Sequence, residues 1–264
     1  MTEEMIELER RGAAAWVWIN RLALHNALNE ELIRKLTQAF RTLGEDSAVR
    51  VIVLSGRGKC FCAGADIESM KRQGAASAAA NRDNARELAD LFHTIASSPK
   101  PTVARVNGSA IGGGLGLVTA CDIAIAAADA KFAASEVRLG LIPATIGPYV
   151  LRAIGARWAR RLFQTGERIS AKRAERIGLV HESVEPEMLD GCVGEIVNEL
   201  LSGAPMAQTA AKELVDAVVD LPITAELIEY TAERIAVIRA SDEAREGLSA
   251  FLEKRKPGWV SRQS

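Results

Sequence analysis

Residues 102–126 read TVARVNGSAIGGGLGLVTACDIAIA. Thr102–Val106 is a short apolar run bounded by turn residues, which predicts a strand. Gly112–Thr119 is an apolar stretch opened by three consecutive glycines and predicts a helix, after which Asp122–Ala126 is again strand-like. Strand, helix and strand in close succession point to a parallel βαβ unit. The alternation extends toward the N-terminus, where Ala13–Ile19 (AAAWVWI) and Val49–Leu54 (VRVIVL) predict strands around a helical pattern at Asn29–Leu43. Asp83–Ser98 predicts a further helix, and the small-residue run Gly74–Ala80 reads as a mobile connector. From about Gly147 the pattern changes: Ser170–Ile177, Glu187–Leu201, Pro205–Val219, Thr224–Arg239 and Asp242–Lys254 all favour helix. Thr209, Ala210, Ala211, Leu214, Val215 and Val218 give one apolar face there, for which packing is the expected role.

A chain of 264 residues, 48% apolar and 25% charged, can bury a full core without disulfide or metal staples. Its 33 basic and 34 acidic residues nearly cancel, so no overall field would gather nucleic acid. No run approaches the roughly 18 apolar residues of a membrane span. Cys60, Cys62, Cys121 and Cys192 fit neither a CxxC pair nor a small secreted scaffold, and they read as reduced thiols. Met1–Arg11 carries Glu3, Glu4, Glu7 and Glu9 and lacks the features of a signal peptide or organelle presequence, so a cytoplasmic location is expected. His25, His93 and His181 are isolated in sequence, and no metal site is expected.

Three segments carry candidate chemistry. In GRGKCFCAGAD, Gly56–Asp66, small residues let a ligand approach the backbone; a plain strand-to-helix loop with Asp66 as N-cap is the structural alternative. Cys60 stands where a Walker A loop needs Ser or Thr. In NGSAIGGGLGL, Asn107–Leu117, free amides at a helix N-terminus suit a developing oxyanion, unless the glycines serve only close helix–strand packing. Leu117 breaks the Rossmann glycine spacing, and Ser109 is not in a G-x-S-x-G elbow. In KFAASEVRLGLIP, Lys131–Pro143, Glu136 lies among apolar residues. It is either paired with a cation such as Arg138, or buried with a raised pKa and usable as an acid or base.

Taken together and in this order, FCAGAD (Phe61–Asp66), NGSAIGGG (Asn107–Gly114), ACDI (Ala120–Ile123) and F-x-x-x-E-x-x-L-G-L-x-P (Phe132–Pro143) resemble the enoyl-CoA hydratase/isomerase (crotonase) family. RLALHNALN, Arg21–Asn29, and FLEKRKPGW, Phe251–Trp259, extend the resemblance over nearly the whole chain. It implies an α/β fold: a spiral of ββα units with a C-terminal helical region. Residues 1–200 would form the core with the CoA and active sites, and residues 201–264 a helical trimerisation region. It further implies an acyl-CoA substrate, no cofactor beyond the CoA of the substrate itself, no nucleic-acid or membrane partner, and a homotrimer or dimer of trimers.

By the same resemblance the oxyanion hole maps to the amides of Cys62 and Gly113 and the acid/base to Glu136. A donor of this kind contributes about 2.7 to 4 kcal/mol in the transition state. Ala63, Gly64, Ala65 and Asp66 would line the CoA site with Gly112 and Gly114, His25 would approach its phosphates, and Phe251 and Lys254 would reach CoA on a neighbouring subunit. Standard hydratases of the family carry two glutamates; here the first position is Gly116. That leaves three readings: a hydratase working with one glutamate, a 3-enoyl to 2-enoyl-CoA isomerase, and, from another class, a non-catalytic acyl-CoA-binding protein. SEVRLGLIPATIGPYV, Ser135–Val150, and GGGLGL resemble members acting on branched, carboxylated enoyl-CoAs of the 3-methylglutaconyl and isohexenylglutaconyl type. For such a substrate Arg72, Arg82 and Arg86 would be the cations facing the distal carboxylate.

Overall fold

In the computed structural model, Gly12 sits at a φ of 59° and turns the chain between β1 (Ile6–Arg11) and β2 (Ala14–Ile19), which pair antiparallel with Glu9 opposite Trp16. The structure describes residues 4–261, so the ends of the acidic N-terminal stretch and of the C-terminal helical region lie outside the described residues. β1 was not legible as a strand because IELERR is half exposed at a sheet edge, where charged side chains are tolerated. α1 (Glu30–Glu45) starts where the Asn29 side chain accepts the Leu32 amide at 2.8 Å, and it buries Leu32, Leu36, Phe40 and Leu43.

The chain then repeats a pattern: a strand of a larger sheet, a strand of a smaller sheet, and a helix. β3 (Val51–Gly56) is followed by β4 (Cys60–Cys62), α2 (Ile67–Gly74) and α3 (Ala78–Ala96). β5 (Thr102–Val106) leads to β6 (Ser109–Ile111) and α4 (Gly113–Ala120). β7 (Ile123–Ala127) leads to β8 (Lys131–Ala133), a 3-10 turn over Glu136–Leu139, and α5 (Gly147–Thr165). β9 (Ile169–Ser170), α6 (Ala171–Arg176), β10 (Glu182–Val184) and α7 (Leu189–Ser202) complete the core, and α8 (Pro205–Val218), α9 (Ala225–Arg239), α10 (Asp242–Leu252) and α11 (Gly258–Ser261) follow. The larger sheet runs β1-β2-β3-β5-β7-β10, parallel except for β1–β2, and the smaller runs β4-β6-β8-β9. This is the expected ββα spiral.

β2 and β3 are buried along their whole length because helices cover both faces of the larger sheet. Ala15, Val17 and Ile19 pack with α1 and α3 residues, whereas Trp16 and Trp18 face Leu189, Val193 and Val197 of α7. The expected connector at Gly74–Ala80 is partly helix: the Ser77 hydroxyl accepts the Ala80 amide and α3 begins at Ala78, as a run of alanines favours. The apolar face expected to pack on α8 does not find a core in this chain; α8 and α9 contain no buried residue, and Val215 is 62% exposed. Among the described residues no helix is long and apolar enough to cross a membrane.

Candidate active site

After β4 the chain turns through Ala63–Ala65, with Gly64 at a φ of 96° that disfavours any side chain. The turn is pinned to the loop before α1: the Ala63 amide donates to the His25 carbonyl at 3.0 Å, Leu28 to Gly64 at 2.7 Å, and Asp66 to Leu28 at 2.8 Å. The Gly64 amide faces the Cys62 thiol. Ala65 is what remains; its amide donates to no atom of the described residues.

A second turn comes to meet the first. Gly112, at a φ of 51°, precedes α4 and donates its amide to the Ala133 carbonyl at 2.8 Å. The Gly64 and Gly112 backbones touch, since a Cβ on Gly112 would stand 4.0 Å from the Gly64 Cα. Gly113 is the first residue of α4, and its amide is unpaired within the described residues, as helix geometry dictates for a first turn. The site thus offers two free amides, one at the positive end of a helix dipole.

Glu136 faces this junction. Its Oε1 lies 3.2 Å from where a Cβ on Gly112 would stand. It forms no ion pair with Arg138, whose side chain packs over Gly166 instead. Its Oε2 is buried with no hydrogen-bond partner among the described residues. Burial pushes the carboxyl above the ordinary carboxylate range, against a smaller downward pull from its own backbone amide. An isolated carboxyl beside two unpaired amides can hold a proton and return it.

These groups line a cleft of about 400 Å³ with Leu28, Ala63, Met70, Leu88, Leu141 and Ile146 among its walls. A larger groove of about 650 Å³ lies between α8 and the strand ends, but there Lys212 is already paired with Asp122 at 2.9 Å. The enoyl-CoA hydratase/isomerase family model matches residues 9–262. The chain belongs to the enoyl-CoA hydratase/isomerase family. It is 36% identical to crotonyl-CoA hydratase from Syntrophomonas wolfei over 99% of this chain and 100% of that one. It is 34% identical to (E)-benzylidenesuccinyl-CoA hydratase from Thauera aromatica, over 96% and 98% respectively. The crystal structure of an enoyl-CoA hydratase from Shewanella pealeana superposes with a TM-score of 0.95 at 38% identity, covering 98% of this chain and 97% of that chain.

Several residues expected at this family site stand elsewhere. Cys62 does not line the cleft: it is fully buried, its thiol is pushed up to about 12 by burial, and its carbonyl lies 2.4 Å from where a Cβ on Gly114 would stand. The amides left unpaired at the cleft are those of Ala65 and Gly113, and Cys62 is not among the residues that line it. Gly114 is an approach point for β4 and not a lining residue. Asp66 is structural; it accepts the Glu68 and Ser69 amides and pairs with Arg21 at 3.0 Å. His25 contributes its carbonyl to the turn while its side chain is exposed. Phe251 and Lys254, expected to reach CoA on a neighbouring subunit, are exposed on the surface of this chain, Phe251 to 80%. None of the three arginines lines the cleft: Arg72 pairs with Glu30, Arg86 with Asp83, and Arg82 is exposed.

The space beside Gly116, where the family resemblance places a glutamate, is filled by neighbouring side chains. A Cβ on Gly116 would stand 2.4 Å from Ile146 Cγ2 and 2.7 Å from Phe92 Cζ. No pattern in the sequence marked Phe92 or Ile146 as neighbours of Gly116, because Phe92 comes from α3 and Ile146 from the turn before α5, both distant along the chain.

Proposed function

We propose that this chain reversibly adds water across the C2–C3 double bond of a 2-enoyl-CoA thioester. The observation that carries the reading is the meeting of two unpaired amides, Ala65 and Gly113, with the half-buried Glu136 carboxyl, whose Oε2 has no partner among the described residues. The amides hold the thioester oxygen and stabilise the negative charge it gains as C3 is attacked. Ionised Glu136 takes a proton from the attacking water, and the resulting acid delivers a proton to C2. One carboxyl serves both steps in turn. Glu136→Gln is expected to abolish turnover of crotonyl-CoA while butyryl-CoA still binds; retention of most activity sinks the assignment.

Gly116 favours a second reading. With Phe92 and Ile146 filling the other carboxylate position, the site suits proton shuttling from C2 to C4, the 3-enoyl to 2-enoyl isomerisation. Assays in heavy-oxygen water separate the two, since hydration places the label in the product and isomerisation does not.

For the acyl group we propose a chain with a second carboxylate, of the 3-methylglutaconyl type. Support comes from the Ser135–Val150 stretch and from a relative whose name gives a succinyl thioester as its substrate. We also read α8–α10 as the surface that joins copies into a trimer, because Val215, Ile223, Ile228, Val237, Phe251 and Leu252 are exposed there. Light scattering that returns a monomer overturns this. Free thiols at all four cysteines fit a reducing, cytoplasmic setting.

A further inference from the structure

The outer part of the cleft carries polar groups that neither the amides nor Glu136 use. α3 presents Asn81, Asn84, Ala85 and Leu88 to it, the spacing of one helix face, and α2 presents Met70 and Gln73. One turn beyond Leu88, Phe92 is fully buried and packs against Gly116. The stripe is therefore apolar inside and amide-bearing outside. At 1.5 Å per residue, Asn84 stands about 12 Å along the helix from Phe92.

Gln73 Nε2 donates to Asn84 Oδ1 at 2.8 Å, joining α2 to α3. That bond fixes the orientation of the Asn84 amide and leaves its Nδ2 with no acceptor among the described residues. Asn81, a turn earlier, has no hydrogen-bond partner for its side chain there either. No Arg, Lys or His lines the cleft. The arrangement offers neutral N–H donors at the end of an otherwise apolar channel.

We propose that Asn84, held by Gln73 and joined by Asn81, donates hydrogen bonds to an acceptor oxygen at the remote end of the acyl chain. Dicarboxylic mono-thioesters are the substrate class this selects over plain chains of equal length. The inference rests on reading the cleft as the thioester site. A site with polar donors rejects an analogue that leaves them unpaired, and the partial exposure of Asn84 keeps the discrimination modest, about tenfold.

The test is binding of saturated thioesters, which needs no turnover. By calorimetry adipyl-CoA is expected to bind about tenfold more tightly than hexanoyl-CoA, the gain expected from one hydrogen bond to a charged group. The monomethyl ester of adipyl-CoA, which keeps an acceptor oxygen and loses the charge, should lose most of that preference. Asn84→Leu should bring the ratio near one, and Asn84→Asp, which preserves shape, should invert it by charge repulsion. Equal binding of adipyl-CoA and hexanoyl-CoA by the unaltered protein overturns the proposal, as does a ratio unchanged in both variants. If neither thioester binds, it is the assignment of the cleft that has failed.

Discussion

The ring of Phe92 stands where a side chain at residue 116 would have to go, with its Cζ 2.7 Å from the position of a Cβ on Gly116. Ile146 closes the same space at 2.4 Å. The volume that a side chain at residue 116 would need is occupied, so Phe92 and Gly116 are expected to be energetically coupled. Gly116→Ala alone is expected to destabilise by about 1–3 kcal/mol through overpacking. In a Phe92→Ala background the same change should cost much less, so urea denaturation of the cycle should show a non-additive coupling. Additive losses would mean that the two do not share this space.

With Glu136 as the proposed base, its ionisation should set the pH dependence of turnover. As a base it must be ionised, and burial raises its pKa, so kcat/KM should rise with pH and level off above the ordinary carboxylate range. Loss of the carboxyl in Glu136→Gln should cost about 10²- to 10⁴-fold in kcat. Steady-state rates between pH 4 and 9 test both.

The same group links pH to stability. A folded-state pKa above the unfolded value means that protonated Glu136 favours folding below the unfolded pKa and that this contribution is lost as pH rises through the folded pKa. Glu136→Gln, permanently neutral, should therefore raise Tm more at pH 8 than at pH 4. Thermal melts showing an equal or opposite shift would contradict the burial argument.

The free amide of Ala65 can be removed without cutting a structural hydrogen bond, because it has none within the described residues. Ala65→Pro is expected to lower kcat about 10²- to 10³-fold, the loss typical of one oxyanion donor. Cys62→Ala keeps the amide at residue 62 and removes only a buried thiol outside the cleft, and kcat should change little. Rates normalised to folded protein by circular dichroism distinguish the two.

Asp66 and Arg21 form an ion pair at 3.0 Å, with side chains 9% and 11% exposed. Burial alone would push the Asp66 carboxyl up, but the Ser69 and Glu68 amides and the Arg21 guanidinium outweigh it and hold it low. Its stabilising contribution is present above the unfolded pKa and is lost as pH falls through the folded pKa. Asp66→Ala should cost about 3–5 kcal/mol, the effect of stranding a buried charge, and the acid sensitivity of this contact should disappear with it. Chemical denaturation at pH 4 and 7 measures both.

Much of the core was legible in local pattern. The strands at β2, β3, β5 and β7 are continuous apolar runs, and α1, α7, α8, α9 and α10 lie close to where helical spacing placed them. The smaller sheet was not, because strands of two or three residues such as β4, β6, β8 and β9 carry no periodicity of their own and exist through their partners. The site divides in the same way. Gly112, Gly113 and Glu136 announced themselves by residue type, whereas the unpaired state of the Ala65 amide depended on which amides the loop before α1 had already taken.

The order of three short segments in the sequence determined the family, the glycine turns and the one assignable carboxylate, since these are properties of residue identity and local backbone freedom. Only the tertiary structure decided that Glu136 is unpaired, that Arg72, Arg82 and Arg86 stay outside the cleft, and that amides from α2 and α3 line its outer end. Each of those outcomes depends on which residues distant in sequence share a few ångströms of space, and no local pattern encodes that.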